Sequence, residues 1–153
     1  MKNGGFTFVE LVITILIIGV LAVTAVPRYL GSDDEDAIAL RDRALQFIHN
    51  MQLRAMQNVR DISCVKITAK IIAPPLNHNC ANGLSTNFDD DQVVNASDTD
   101  FIFQAVDENG NSFSQISFDG LGKPNNIACA SVCRIQVEQF AVCLQSEGAI
   151  YAC

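Results

Sequence analysis

The chain has 153 residues, a formal net charge of −7 and almost half hydrophobic composition, enough for one small domain and one apolar segment. Beyond Lys70 the only lysines and arginines are Lys123 and Arg134, against ten acids. Such a surface repels phosphate backbones, so nucleic acid is not an expected partner.

The chain opens with a stub, Met1–Gly5, whose single charge is Lys2, followed by an uncharged run from Phe6 to Pro27 broken only by Glu10. As a helix, Phe6 to Val26 spans ~30 Å, enough to cross a bilayer. Leu11, Val12, Ile13, Ile15, Leu16, Ile17, Ile18, Val20 and Leu21 make it apolar on every side, so lipid or other helices must cover it. A carboxylate in such a segment costs at least ~2.5 kcal/mol and calls for a partner. Two plainer readings stand beside this. One is a secretory signal peptide cut near Val23-Thr24-Ala25, and the other is an uncleaved single-span anchor; Glu10 fits both poorly.

Gly5-Phe6-Thr7, Glu10 five residues into the presumed mature chain, the aliphatic stretch and Pro27 resemble the start of type IV prepilins and type II secretion pseudopilins. The resemblance implies that prepilin peptidase, a membrane enzyme, cuts between Gly5 and Phe6 and N-methylates Phe6. It implies assembly with other pilins or pseudopilins through the N-terminal helices, driven from an inner-membrane platform, with Glu10 facing the positive N terminus of a neighbour. The expected divisions are a leader at 1–5, a transmembrane and filament-core helix at 6–27, and a head at 28–153. The head would be periplasmic while the helix sits in the inner membrane, and would reach the cell surface on the assembled pilus.

After Pro27, Ser32 and Glu35 have capping-box spacing, with Asp33 and Asp34 between them. Ala37, Leu40, Ala44, Phe47, Ile48, Met51, Ala55 and Val59 recur at three- and four-residue steps. That pattern predicts an amphipathic helix over about 32–59, with a stripe on which a sheet packs. From 62 onward the chain reads as β. Ser63 to Ile71 alternates as one strand, and Pro74-Pro75 stops it. Leu76 to Asp100 is polar and reads as a long loop. Strands at Phe101–Val106 and Ser112–Phe118 flank Asn109-Gly110, a hairpin signal. Arg134–Val137, Phe140–Leu144 and Ala149–Ala152 supply the last strands. The expected fold class is α+β: a long N-terminal helix, half apolar and half amphipathic, packed on an antiparallel sheet, as in pilins.

Ile116-Ser117-Phe118-Asp119-Gly120 and the stretch Val142–Ile150 resemble elements of the group containing the type II secretion H pseudopilin. The cysteine-rich head is similar to minor pilins of the mannose-sensitive haemagglutinin (MSHA) pilus. A minor pilin acting in pilus initiation, at the tip or in attachment is therefore expected. The alternatives are an H-type pseudopilin or an anchored or secreted adhesin-like module using the 76–100 loop. The chain ends Gly148–Cys153 without basic residues, so DNA uptake is not carried over.

Six cysteines beyond the apolar segment read as disulfides made in an oxidising compartment. Spacing favours Cys64–Cys80, Cys129–Cys133 and Cys143–Cys153, the last pair opposite each other if a three-residue loop centres on Gly148. Zinc on Cys129 and Cys133 with His78 and Cys80 is the rival reading, and export argues against it. Asp89-Asp90-Asp91, Asp98 and Asp100, or Asp107 to Asn111, have the oxygen chemistry for Ca²⁺, but a solvated acidic loop is the default. No metal or cofactor is expected. His49 and His78 stand alone, and no nucleophile elbow or phosphate loop occurs, so no enzyme is expected. Asn95-Ala96-Ser97 is a glycosylation sequon by pattern only.

Overall fold

A computed structural model of the chain describes residues 7–30, 32–57, 63–76, 80–84, 93–125 and 131–153, with the side chains of 22–30, 32 and 63 outside that description. It resolves into two compact units, Met1–Asp36 and Ala37–Cys153. The element order is α1 (Phe8–Leu30), α2 (Ser32–Gln57), β1 (Ser63–Ile67), β2 (Ile71–Ala73), β3 (Val94–Asn95), β4 (Phe103–Val106), β5 (Gln115–Phe118), β6 (Val132–Val137), β7 (Phe140–Gln145) and β8 (Ile150–Ala152). The class is α+β, helix first and antiparallel sheet after, consistent with a pilin-like fold.

Helix α2 is held by its apolar stripe. Ala37, Leu40, Ala44, Phe47, Ile48, Met51 and Ala55 are all buried, whereas Arg43, Gln46, Asn50 and Arg54 on the other side are exposed. The helix ends at Gln57, so Val59 and the last residues expected in it lie outside the described residues. The Ser32 side chain of the expected capping box lies outside them too. Asp33, Asp34 and Glu35 occupy the first turn and Arg54 the last, each matching the helix dipole.

The β region forms two sheets rather than one. Sheet 1 has the order β3-β2-β1-β5 and sheet 2 the order β4-β6-β7-β8, every pairing antiparallel. One core joins them: Val65, Ile67, Ile72, Ile116 and Phe118 from sheet 1 meet Phe103, Ile135, Val137, Val142 and Leu144 from sheet 2 and the α2 stripe. At about 25 cal/mol per Å² of apolar surface removed from water, this shared burial is the main force holding the head together.

Three sequence expectations give way to hydrogen bonding. The single strand expected over Ser63–Ile71 is a hairpin, β1 then β2. Thr68 turns it, its Oγ1 accepting from the Ile71 N–H at 2.9 Å while its own N–H donates to the Ile71 carbonyl at 2.8 Å. A Thr hydroxyl that bonds nearby backbone competes with strand continuation. The expected 76–100 loop contains β3, which pairs Ile71 with Asn95 and Ile72 with Val94 at the sheet edge. Strands β4 and β5 start a hairpin and then part into different sheets. They share one bridge, Val106 to Ser112, after which β5 pairs with β1 from Gln115 to Phe118.

Three turns of the head share one construction. In Asp107–Asn111, Asp119–Lys123 and Gln145–Ala149 the first residue's N–H bonds the fifth residue's carbonyl, at 2.9, 3.0 and 2.9 Å. The fourth residue, Gly110, Gly122 or Gly148, has φ of 82°, 78° or 94° and donates back to the first carbonyl. Glycine is required there because an L side chain at positive φ meets its own backbone. This construction corrects the expected final hairpin. Gly148 closes the loop instead of centring it, so Cys143 stands opposite Tyr151, and Cys153 bonds across to Ala141.

Candidate functional site

The N-terminal unit is built from one side-chain cap and a run of apolar residues. Thr7 precedes α1, and its Oγ1 accepts the Glu10 N–H at 3.2 Å while its carbonyl takes the Leu11 N–H at 3.2 Å. Thr7 is thus the N-cap and Glu10 the third helical residue, the spacing of a capping box. The helix accordingly begins at Phe8, two residues later than the apolar run suggests. The Thr-x-x-Glu pattern ahead of an apolar run was readable in the sequence and went unused. It gives Glu10 a local role, a negative charge in the first turn of a helix, in addition to any intermolecular one.

Glu10 is exposed, and so are the side chains around it: Phe8 is 83% exposed, Leu16 62% and Val20 65%. Exposed large apolar groups point all round this segment, which single-chain burial cannot explain. Among the described residues no helix is long and apolar enough to cross a membrane. The side chains described in α1 run from Phe8 to Leu21, about 21 Å of helix at 1.5 Å per residue. The backbone of α1 runs 23 residues to Leu30, ~34 Å, and no charged residue lies between Leu11 and Pro27. Gly5 and Phe6, the expected cleavage and methylation positions, lie outside the described residues.

In the head, Cys64 is bonded to Cys80 and Cys143 to Cys153, with Cα separations of 5.8 and 5.9 Å. Cys133 is also in a disulfide, and Cys129 lies outside the described residues. Among the described residues no group of three His, Cys, Asp or Glu side chains could hold a metal. The Asp107 turn shows what its carboxylate does instead. Its Oδ1 accepts the Asn109 and Asn111 N–H groups at 2.8 Å each, and Oδ2 accepts Asn111 Nδ2 at 3.0 Å. The Asn111 amide, helped by the backbone donors, holds the Asp107 carboxyl below its ordinary range. Asp119 Oδ1 takes the Leu121 and Lys123 N–H groups in the same way. Asp89, Asp90 and Asp91 lie outside the described residues, and Asp98 and Asp100 are exposed.

Sequence reading also missed a junction that α2 makes with two of the glycine turns. Gln52 Nε2 donates to the Gly122 carbonyl at 2.7 Å and to the Gly148 carbonyl at 2.6 Å. His49 Nε2 donates to the Ile150 carbonyl at 3.1 Å. Lys123 and Glu147, one on each turn, form an ion pair at 2.5 Å, which with nearby Asp119 pushes the Lys123 ammonium above its ordinary range. A Cβ on Gly148 would sit 2.7 Å from the Gly122 carbonyl oxygen, so the turns touch through backbone. A polar residue on a helix next to its apolar stripe is an available signal for such a clamp, but sequence alone does not name the carbonyls it reaches. The junction organises the head and occupies His49 with a backbone carbonyl, and His78 lies outside the described residues.

Among families, the prokaryotic N-terminal methylation motif matches residues 1–26. No characterised protein and no solved structure matches the chain. The motif implies a membrane-anchored precursor, processing by prepilin peptidase and assembly with other pilins. The chain therefore carries the N-terminal mark of type IV pilins and pseudopilins, a class of structural subunits and not of enzymes.

Proposed function

We propose that this chain is a minor pilin of a type IV pilus, acting at the start of assembly or at the tip. In this reading residues 1–5 are the leader, cleavage falls between Gly5 and Phe6, and Phe6 becomes the methylated N terminus. Residues 6–27 lie in the inner membrane with 28–153 in the periplasm, until an assembly platform extracts the subunit into the fibre. The observation that carries the proposal is α1: its large apolar side chains from Phe8 to Leu21 are mostly exposed, and one carboxylate, Glu10, stands in its first turn. Lipid covers the apolar surface before assembly and neighbouring helices cover it afterwards. The charge is neutralised by the α-amino group of an adjacent subunit. Disulfides in the head suit export to an oxidising compartment.

The test is mass spectrometry of purified filaments, which should find the chain at low stoichiometry and beginning at methylated Phe6. Finding the mature protein free in the periplasm, beginning near Val26, would overturn the proposal. The same methylation motif fits a type II secretion pseudopilin of the H type. Loss of surface pili on deletion, with secretion intact, separates the pilus reading from that one.

A further inference from the structure

Asn-Gly occurs three times in the chain, at Asn3-Gly4, Asn82-Gly83 and Asn109-Gly110. The pair is chemically labile, because no side chain on the glycine shields its backbone nitrogen from the asparagine carboxamide beside it. The first pair lies outside the described residues, and the structure treats the other two differently. Asn82 is half-buried and its Nδ2 donates to the Leu76 carbonyl at 3.1 Å, while the Gly83 carbonyl accepts the Leu76 N–H at 2.9 Å. Asn109 is exposed, and its carboxamide makes no hydrogen bond among the described residues. Nothing stands within 4 Å of the place a Gly110 Cβ would take, so the approach to the nitrogen is open.

The turn around Asn109 sets the pace of any reaction there. Gly110 N–H donates to the Asp107 carbonyl at 3.1 Å, longer than the matching 2.9 Å bonds of Gly122 and Gly148. Its nitrogen is no nucleophile while it holds that proton, so attack waits for the bond to open. Opening is opposed by Asp107 Oδ1, which grips the N–H groups on both sides, Asn109 and Asn111, at 2.8 Å each. Two charge-assisted bonds of this kind outweigh the single neutral one they flank. The carboxylate is therefore the latch, and the labile pair is the segment it holds shut.

We propose that Asn109 is a site of spontaneous deamidation in the folded head, gated by the Asp107 carboxylate. The Gly110 amide gives its proton to hydroxide, and its nitrogen bonds to Asn109 Cγ. The Cγ–Nδ2 bond breaks, and ammonia leaves with a proton from water. Water then adds to either carbonyl of the succinimide ring, leaving aspartate or isoaspartate at the position. One water is consumed and one ammonia released, and nothing is oxidised or reduced. Both products set another carboxylate beside Asp107 and Glu108. Isoaspartate also lengthens the backbone by a methylene, which spoils the spacing that lets Asp107 N–H reach the Asn111 carbonyl at 2.9 Å. The site belongs to the head and does not depend on which filament the subunit joins.

The test is peptide mapping by mass spectrometry of the full-length protein, aged in detergent micelles in mildly alkaline buffer, with isoaspartate counted by isoaspartyl methyltransferase labelling. Asn109 should convert at least about tenfold faster than Asn82, a barrier difference of ~1.4 kcal/mol. Asp107→Ala should speed conversion about fivefold, equivalent to ~1 kcal/mol, and Asp107→Asn, whose amide oxygen still accepts, by less. Amide exchange from Asn111 to Phe113 should rise in the aged parent and stay level in aged Asn109→Gln, whose longer side chain closes the ring far more slowly. The comparison of Asn109 with Asn82 uses the unmutated chain, so it decides even where a variant misfolds. Conversion at Asn82 first, no conversion at Asn109, a rate unmoved by Asp107→Ala in a folded head, or unchanged exchange after conversion would each overturn the proposal.

Discussion

The N-terminal helix and the head solve the same problem in opposite ways. In the head, Ala37 to Ala55 of α2 buries its stripe against two sheets of its own chain, and Gln52, the disulfides and three glycine turns fix the geometry. In α1 the large apolar side chains described from Phe8 to Leu21 are mostly exposed, with a threonine cap as local support. The head's stability is written in contacts within the chain. The helix's stability is left to whatever surrounds it, so its substitutions should act on assembly and those of the head on folding.

Glu10→Ala is the strongest break in that comparison. The Thr7 hydroxyl still caps the Glu10 N–H position, because a backbone group makes that bond. Helix formation and leader cleavage should therefore persist, while the charge that seeks a partner is gone. Incorporation into filaments should fall at least about tenfold, read by immunoblot of sheared pili, with the head's melting temperature unchanged; an intermolecular contribution near 1.4 kcal/mol suffices for that ratio. Normal incorporation would leave Glu10 only its place in the cap.

Next in size comes Gly148→Ala. The new Cβ would sit 2.7 Å from the Gly122 carbonyl at a φ of 94°, adding a backbone clash to left-handed strain. A loss of about 3 kcal/mol is expected, measured by denaturant melts of the full chain in detergent. Gly110→Ala is the matched control: the same turn at φ 82°, with nothing within 4 Å of the Cβ. It should lose only the conformational part, ~1 kcal/mol. Equal losses at the two sites would mean that contact between the turns contributes nothing. Gly19→Ala in α1, with open space around it, should leave the same melt unmoved.

Replacing Cys143 and Cys153 together by serine removes the link from β7 to the end of β8, whose cysteines are 10 apart in sequence. On loop-closure grounds the cost is about 2–3 kcal/mol. Strand β8 keeps its pairs with Val142, Cys143 and Leu144, so hydrogen exchange should rise there before elsewhere. Uniform exchange across sheet 2 would show that the bond serves the whole sheet.

Much of this was legible where one periodicity or one side chain decides the outcome. The α2 stripe is the clearest case, since each of its residues from Ala37 to Ala55 is buried. The methylation motif is another, because it depends on short-range sequence alone. Legibility failed where long-range pairing competes with local pattern. Asn109-Gly110 marks a real turn, but nothing in Phe101–Phe118 says that the second strand will prefer β1 to β4. The Thr68 turn was hidden because a β-branched residue within an alternating run looks like strand until its hydroxyl is seen on Ile71. Gln52 was invisible for a similar reason: its partners are carbonyls 70 and 96 residues away.

The smallest expected effect concerns the Asp107 turn and tests whether its carboxylate serves folding. Asn111 and the backbone donors lower the folded pKa of Asp107, so the folded state releases its proton more readily than the unfolded chain does. That stability is fully present above the unfolded value, ordinarily near 3.8, and is lost as pH falls through the lower folded value. Because the group is exposed, its share of acid destabilisation is slight. The loss should appear below pH 4 as a difference between the parent and Asp107→Asn, whose amide oxygen still accepts from Asn109 and Asn111 but does not titrate. A larger acid-induced loss in the variant than in the parent would reverse the sign and place the turn's support elsewhere. Lys123 gives the opposite check: its pKa is raised by Glu147, so that contribution is intact below about 10.5 and disappears only as pH rises past the raised value. The two turns of like construction should therefore weaken at opposite ends of the pH scale.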